Sequence, residues 1–155
     1  MCSAGFSINE ADEEQIARHL QLCDADFVPP LSERTDLAQY ARKIANAAIR
    51  FEARVGTELI GLLAVYCNDC SGRTAFITSV SVMRQWQNKS IATRLLTDCI
   101  GHLRAIGFDQ VSLEADLRNS DAIRFYRRHK FISDSKGPAT GRSVLMRLDI
   151  EKLET

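Results

Sequence analysis

The sequence predicts an α/β (α+β) fold in which one mixed sheet carries helices on both faces. Two observations lead to this prediction. Residues 76–82 alternate and are rich in β-branched side chains, as in a strand, whereas the apolar residues after position 90 recur with the spacing of an amphipathic helix. Segments of both kinds follow one another without a repeat, a low-complexity tract or a linker. A length of 155 residues then suits a single domain, 1–155, with a substantial core.

The first third of the chain predicts one strand and two helices. Asp12 is a good N-cap and precedes an apolar stripe that includes Ile16 and Leu20, which indicates a helix. Pro29 and Pro30 cannot continue a helix or a central strand, so they indicate an extended loop. The elements expected here are a strand at 6–8, a helix from residue 12 to about 22, the loop at 27–31, and a helix capped by Thr35 or Asp36 that ends near Ala48.

The rest of the chain alternates strands with two further helices. Gly56 and Thr57 lie between two strand-like runs and indicate a hairpin. The stretch 136–141 is rich in glycine and proline, which is typical of a loop. The elements expected are strands at 51–55, 59–66 and 73–82, a helix after residue 90, a strand at 111–115, a helix at 119–128, and a last strand pair at 131–135 and 144–150.

Charge and hydropathy exclude several classes of partner. The formal net charge is +0, so no overall field attracts nucleic acid or an anionic membrane. No apolar run approaches the roughly 20 residues that a membrane span needs. The N-terminus lacks the basic region and apolar segment of a signal peptide. These features predict a cytoplasmic protein that binds neither nucleic acid nor membrane.

The cysteines raise the question of a metal or redox site. Cys67 and Cys70 have the spacing of a zinc knuckle or a redox dithiol. A structural zinc site needs four ligands, and the sequence offers neither a second cysteine pair nor a spaced histidine pair. We therefore predict no metal and interpret the pair as part of a reduced hairpin turn. Cys99 falls on the apolar stripe of its helix and is expected in the core.

The segment after residue 82 predicts a site for an anion. A strand ends there, a polar turn follows, and a helix begins whose stripe includes Ile91, Leu95 and Leu103. The first turn of a helix has unsatisfied N–H groups and a partial positive charge, both of which suit a phosphate.

Two motifs stand out in this part of the chain. The first is Gln87-Asn88-Lys89-Ser90-Ile91-Ala92 after a strand, and the second is Asn119, Ala122, Phe125, Tyr126 and Phe131 further on. In this order they resemble the GNAT superfamily of N-acetyltransferases, whose acyl-CoA loop has the pattern Gln/Arg-x-x-Gly-x-Gly/Ala and whose later helix carries Asn-x-x-Ala-x-x-Phe/Leu-Tyr before Gly-Phe. Ser90 and Lys130 stand where the family prefers glycine. The resemblance covers roughly residues 51–150.

The resemblance implies a fold and a co-substrate. The fold is a mixed, mostly antiparallel central sheet of six to seven strands flanked by about four helices. In that family, acetyl-CoA lies where two neighbouring strands splay apart, with its pyrophosphate on the helix N-terminus. The cofactor-binding residues expected from this are Val80, Ser81 and Val82 on the strand, Gln87, Asn88, Lys89, Ser90, Ile91 and Ala92 in the loop, and Asn119 on the next helix.

Two residues are catalytic candidates on the same resemblance. The tyrosine that matches Tyr126 stabilises or protonates the leaving thiolate. A tyrosine pKa of about 10 against a thiol pKa of about 8.5 makes full proton transfer uphill by roughly 2 kcal/mol, so hydrogen bonding is the safer role. Glu114 resembles the base of the enzymes that acetylate ribosomal proteins and N-terminal amines, although it needs a water relay or a shifted pKa. The alternatives are a packed tyrosine and an exposed strand-end carboxylate.

A local basic run follows Tyr126 in the chain. The run consists of Arg124, Arg127, Arg128, His129 and Lys130. One interpretation is a solvated helix face near a C-terminus, and the other is attraction for the phosphates of the co-substrate. His19 and His102 have no partner pattern, and no role is assigned to them.

The acceptor is the least determined part of the prediction. In the family, the acceptor cleft involves the segments that correspond here to 24–36 and 135–143. Acidic residues in the first segment suit a cationic amine, but they are also typical of a capped, solvated loop. Residues 29–34 and 40–44 look like a subgroup of bacterial GNAT proteins. The acceptor classes left open are an amine-bearing small molecule, an amino sugar and a peptide.

A second class of function stays open beside the enzyme. Because Ser90 and Lys130 replace two family glycines, the protein could bind acyl-CoA as a sensor or interaction module without turnover. Asn119, Glu114 and Tyr126 favour the enzyme, because a pure binding protein has no need of a base or of a thiolate-stabilising hydroxyl. A homodimer through the terminal strands is a further possibility.

Overall fold

The computed structural model describes residues 3–69, 71–133 and 142–150. Within them, seven strands form one mixed sheet in the order β1-β2-β3-β4-β5-β7-β6, and the one parallel pair is β4 with β5. The mixed, mostly antiparallel sheet expected from the family resemblance is therefore confirmed. The strands are β1 Gly5–Ile8, β2 Ala48–Val55, β3 Glu58–Asp69, β4 Thr74–Val82, β5 Gln110–Asp116, β6 Ile132–Ser133 and β7 Ser143–Asp149.

Helices cover both faces of the sheet, as expected. Leu20 and Ile44 pack α1 and α2 onto one face beside Leu62. Leu95 and Tyr126 belong to α3 and α4 and pack into a second core cluster on the other face. None of the described helices is long and apolar enough to cross a bilayer. The four α-helices of the described chain are α1 Glu13–Cys23, α2 Leu37–Ala47, α3 Ile91–Ala105 and α4 Ser120–Arg128.

Two boundaries differ from the sequence-based expectation. The strand expected to begin at Phe51 begins at Ala48, directly after α2, because residues 48–50 pair with residues 64–66 of β3. The extended loop expected at 27–31 is present at residues 27–30, between two short 3₁₀ turns, Asp24–Asp26 and Leu31–Glu33, and only Leu31 differs from the expectation. Cys67 lies in β3, and Cys70 lies outside the described residues, as does the loop expected at 136–141.

The sheet parts between β4 and β5. The two strands pair in parallel only where residues 74–76 face residues 110–112. Beyond that point β4 continues to Val82 and β5 to Asp116 without pairing with each other. β4 also carries an irregularity in its pairing with β3, where the register shifts between Ala64 and Val65. The result is a wedge-shaped opening in the middle of the sheet.

A buried carboxylate anchors the first helix to the sheet. Glu52 on β2 is fully buried and accepts hydrogen bonds from the Ser7 hydroxyl at 2.9 Å and from the backbone N–H groups of Glu10 and Ala11 at 3.0 and 2.9 Å. The guanidinium groups of Arg50 and Arg54 lie 3.6 and 3.8 Å from the same carboxylate. These contacts satisfy a charge that would be costly to bury alone.

A buried histidine links α1 to two strands. His19 is almost fully buried, with Nδ1 3.0 Å from the Leu59 carbonyl oxygen and Nε2 2.9 Å from Ser81 Oγ. Because a carbonyl only accepts, Nδ1 carries the proton, and Nε2 of the neutral ring accepts from the Ser81 hydroxyl. Cys23 Sγ lies 3.7 Å from Nε2. The sequence showed no partner for His19, yet its spacing from Ile16 and Cys23 places it on the apolar stripe.

His19 should make the fold sensitive to acid. Burial lowers the pKa of His19 below its ordinary value of 6.5, because desolvation penalises the charged ring. The unfolded chain then binds a proton more readily than the native one, so stability is full above about pH 6.5 and declines as the pH falls below that value. We expect His19→Gln to flatten this part of the stability curve, measured by urea unfolding at pH 7.5, 6.5 and 5.5. An unchanged slope would contradict the assignment.

The end of α4 is fixed by a left-handed residue. Phe131 N–H donates to the Tyr126 carbonyl and Lys130 N–H to the Arg127 carbonyl, at 3.0 and 3.1 Å, and Lys130 has φ 77°. This pattern is the Schellman motif, and its usual apolar contact is present, with the Tyr126 and Phe131 rings 5.5 Å apart. Lys130 thus takes a left-handed conformation whose free-energy cost would be about 1 kcal/mol lower for glycine.

Candidate active site

Two cavities open along the parting of β4 and β5, and they meet at Val80. The first, here called the central cavity, has a volume of about 440 Å³ and lies between β4, β5 and the start of α4. Tyr126, Glu114 and Asn119 line it. The second, the loop cavity, has a volume of about 650 Å³ and lies between the end of β4, the start of α3 and one face of α4.

The loop cavity ends on an uncapped helix. Side chains of Asp12, Asp36 and Asn119 cap α1, α2 and α4, whereas α3 has no side-chain cap. Its first backbone N–H groups are therefore available to an anion at the wall of the cavity. Ser90, which precedes the helix, has φ 64°. The serine thus holds a left-handed conformation that glycine adopts without a steric penalty, at a cost of about 1 kcal/mol.

Most of the residues expected to bind the cofactor lie around the loop cavity. Among the described residues, Lys89 lines neither this cavity nor the central one, and Asn119 lines the central one. The Asn119 side chain accepts from the Ala122 N–H at 3.2 Å, so its oxygen is the N-cap of α4. The expected residues that do line the loop cavity are Val80, Ser81, Val82, Gln87, Asn88, Ser90, Ile91 and Ala92.

Gln87 holds the loop against the strand that precedes it. Its Nε2 donates to the Val82 carbonyl at 3.0 Å and approaches Asp26 Oδ2 at 3.4 Å. Asp26 also binds Arg84 at 2.6 Å. The loop therefore has a fixed position relative to the end of β4 before any ligand is bound.

The basic run on α4 divides between two environments. Arg124 and Arg128, four residues apart on one helical face, line the loop cavity. Among the described residues, Arg127 and Lys130 line neither the loop cavity nor the central cavity. Phe125 lies in the wall as well, and the Arg128 guanidinium is 5.9 Å from the centre of its ring. Two cations thus face the same space as the uncapped end of α3, and one of them, Arg124, lies 3.6 Å from the Asp121 carboxylate, which lines the cavity as well.

Tyr126 is buried at the wall of the central cavity. Its ring packs edge-on against Phe125 and Phe131, at 5.3 and 5.5 Å between ring centres. Within the described residues, its hydroxyl makes no hydrogen bond. Burial raises the pKa of Tyr126 well above its ordinary value of 10.0. The hydroxyl is therefore protonated at neutral pH and is available as a donor.

Glu114 is an exposed carboxylate at the junction of two cavities. It lines the central cavity together with Tyr126, and it also lines a third, the side cavity, of about 540 Å³ beside α2. Thr78 lines both as well, and its carbonyl and hydroxyl oxygens lie 2.8 and 2.6 Å from the Tyr40 hydroxyl. The structure thus brings the two catalytic candidates to one cavity from β5 and α4.

The acidic residues before α2 have structural partners. Asp24 accepts from the backbone N–H and the hydroxyl of Ser32 at 2.7 and 2.6 Å, and this lowers the pKa of its carboxyl. Asp26 binds Arg84, and Asp36 caps α2. Of the two interpretations of this loop, the capped and solvated one holds for these three carboxylates.

The site also contains residues that sequence reasoning did not select. Trp86, Thr93 and Asp121 line the loop cavity, and Arg34, Arg118 and Arg142 line the central cavity. The three arginines come from loops or strand ends far apart in sequence, so no local pattern marks them. Trp86 and Thr93 directly flank the loop at residues 87–92, and this position next to the motif is the sequence feature that indicates their place in the site.

Residues 14–131 of the chain match the model of the acetyltransferase (GNAT) family. No curated protein matches the sequence significantly. Many solved structures share the fold.

Three of these structures show the extent of the likeness. The ribosomal-protein-S18-alanine N-acetyltransferase from Escherichia coli is 18% identical, with a TM-score of 0.76 over 99% of this chain and 100% of that one. The PaiA N-acetyltransferase from Thermoplasma acidophilum, solved in complex with coenzyme A, is 14% identical, with a TM-score of 0.72 over 94% and 99%. An N-acetyltransferase from Staphylococcus aureus is 16% identical, with a TM-score of 0.72 over 96% and 99%. At these identities the likeness establishes a shared fold.

Proposed function

The chain belongs to the acetyltransferase (GNAT) family, and on that premise we propose that it transfers an acetyl group from acetyl-CoA to a primary amine. The observation that carries the proposal is the parting of β4 from β5 into two cavities that meet at Val80. One cavity ends at an uncapped helix, and the other contains Tyr126 and Glu114.

The loop cavity fits the polar half of acetyl-CoA. The N–H groups at the start of α3 and the guanidinium groups of Arg124 and Arg128 supply donors and positive charge for its phosphates. The unpaired side of β4 at residues 80–82 offers peptide groups to the amides of the pantetheine arm. Val80 then lies where that arm passes into the central cavity.

The reaction is a direct attack on the thioester. The amine nitrogen forms a bond to the acetyl carbonyl carbon, the carbon–sulfur bond breaks, and the sulfur leaves with its electron pair. Tyr126 donates a hydrogen bond to that sulfur, and its raised pKa favours stabilisation of the thiolate over full proton transfer. The amine loses a proton, which Glu114 receives directly or through a water molecule.

We expect acetyl-CoA to stabilise the protein against heat. A ligand that binds only the native state adds about 2.7 kcal/mol at a hundredfold excess over its Kd, which corresponds to a shift of several degrees for a domain of this size. The measurement is thermal unfolding with acetyl-CoA, with CoA and with a nucleotide control. No shift at millimolar acetyl-CoA would overturn the proposed co-substrate.

Two matched variants locate the phosphates. Arg128→Gln should reduce the shift, because Arg128 lines the loop cavity. Arg127→Gln, on the same helix but outside the three cavities, should leave the thermal shift unchanged.

Release of free thiol from acetyl-CoA in the presence of a panel of amines then separates the enzyme from an acyl-CoA sensor, which would bind acetyl-CoA without turnover.

A further inference from the structure

The walls of the central and side cavities carry more positive than negative charge. Among the described residues that line them, the cations are Arg34, Lys43, Arg118 and Arg142, and the anions are Glu114 and Asp116. Asp116 is already neutralised, because Arg118 binds both of its oxygens at 3.0 Å and holds its pKa at about 2. The same bidentate pair uses the charge of Arg118, so the charges left to face a ligand are those of Arg34, Lys43 and Arg142 against that of Glu114.

Arg34 and Glu114 occupy a special position in this arrangement. Each of them lines both the central cavity and the side cavity. Among the described residues, no ion pair joins them, and the Arg34 guanidinium has no other carboxylate partner. A cation from the segment before α2 and an anion from β5 thus line the same two cavities without forming an ion pair.

The nearby acids do not compensate for Arg34. Asp24, Asp26 and Asp36 are bound to Ser32, to Arg84 and to the first turn of α2. Glu33, which precedes Arg34 in the chain, is exposed, lines neither cavity and interacts electrostatically with Arg118. Lys43, which also lines the side cavity, lies 5.3 Å from the centre of the Tyr66 ring. The surroundings of Arg34 therefore favour an anion, and an acceptor with positive charge alone would meet repulsion there.

We propose that the acceptor is dipolar, an amine that carries a carboxylate or phosphate group on the same molecule. Arg34 binds the anionic group, and Glu114 faces the amine. This inference rests on the proposed function, because it names the acceptor class of the same site. A guanidinium suits carboxylate and phosphate alike, since its parallel N–H donors match two oxygens of either group. Polyamines and amino sugars without an acidic group lack the partner for Arg34.

Matched acceptor pairs test the proposal. Thiol release from acetyl-CoA is measured with two sets of acceptor pairs. In the carboxylate set, each amino acid or short peptide is compared with its neutral carboxamide. In the phosphate set, the phosphate ester of each amino alcohol is compared with the neutral amino alcohol. We expect the anionic member of at least one pair to have a kcat/KM at least tenfold above that of the neutral member. The set of pairs that shows the preference, carboxylate or phosphate, identifies the anionic group that Arg34 binds.

Arg34→Gln should remove the preference through KM for the acceptor, with kcat and the KM for acetyl-CoA nearly unchanged. Arg104→Gln, an exposed arginine on α3 outside all three cavities, is the matched control. The proposal would be overturned if the neutral acceptors had a kcat/KM equal to or above that of the anionic ones, or if Arg34→Gln kept the preference for the anionic acceptors. It would also be overturned if no anionic amine were acetylated. Loss of acetyl-CoA binding would instead overturn the proposed function, and the thermal shift measures that without an acceptor.

Discussion

Tyr126→Phe is expected to lower kcat by about 10²- to 10³-fold and to leave the Kd for acetyl-CoA nearly unchanged. The change removes a single hydroxyl at the wall of the central cavity and keeps the ring, which packs against Phe125 and Phe131. Loss of one donor to a developing negative charge typically costs this much, because the interaction is made in the transition state. The measurement is steady-state thiol release together with equilibrium binding of acetyl-CoA.

Tyr66→Phe is the matched control for this prediction. The Tyr66 hydroxyl is also buried, near Thr78, and the residue lies outside the central cavity. Its removal should leave kcat within about twofold. If Tyr126→Phe weakened acetyl-CoA binding as much as it slowed turnover, the tyrosine would have a packing role, and the proposed chemistry would fail.

Glu52→Ala should lower the free energy of unfolding by about 3–5 kcal/mol. Removing one partner of a buried ion pair leaves the other charge uncompensated, and here Arg50 and Arg54 would both lose their carboxylate. The Ser7 hydroxyl and two backbone N–H groups would lose their acceptor as well. Because these groups join β1 and the start of α1 to β2, we expect that corner of the fold to open first. Urea unfolding measures the change.

Glu58→Ala provides the comparison on the next strand. Its carboxylate is partly exposed and lies 3.8 Å from the exposed Arg18 guanidinium, so its loss should cost less than about 1 kcal/mol. A similar small loss for Glu52→Ala would mean that water replaces the carboxylate, and that the ion pairs to Arg50 and Arg54 contribute little.

Much of the fold could be predicted because its signals are local. The capping residues Asp12 and Asp36 and the apolar stripe of α3 indicate where helices begin and which face they bury. The predicted strands appear in the predicted order, with ends shifted by a few residues. Local sequence favours a helix at Ala48, because alanine suits a helix, whereas its pairing with Tyr66 depends on a distant part of the chain.

The candidate site was less accessible to sequence reasoning. The loop from Gln87 to Ala92 and Tyr126 came from motifs, which mark residues close together in sequence. Arg34 and Arg142 approach the central cavity from segments more than 100 residues apart, and no spacing relates them. The acids before α2 suggested a cationic acceptor, because a sequence shows the charge of Asp24 but not its bond to Ser32.

The opening between β4 and β5 bears on how this fold tolerates sequence change. Two strand edges face this opening, where a slender molecule with its own amides can pair with them. Recognition of that kind uses main-chain groups, which every amino acid supplies. Substitution of side chains along the opening then alters affinity without abolishing the binding mode. Such main-chain recognition permits this chain to share its fold with the three solved structures at 14–18% identity. It also permits Ser90 and Lys130 to stand where glycine is expected.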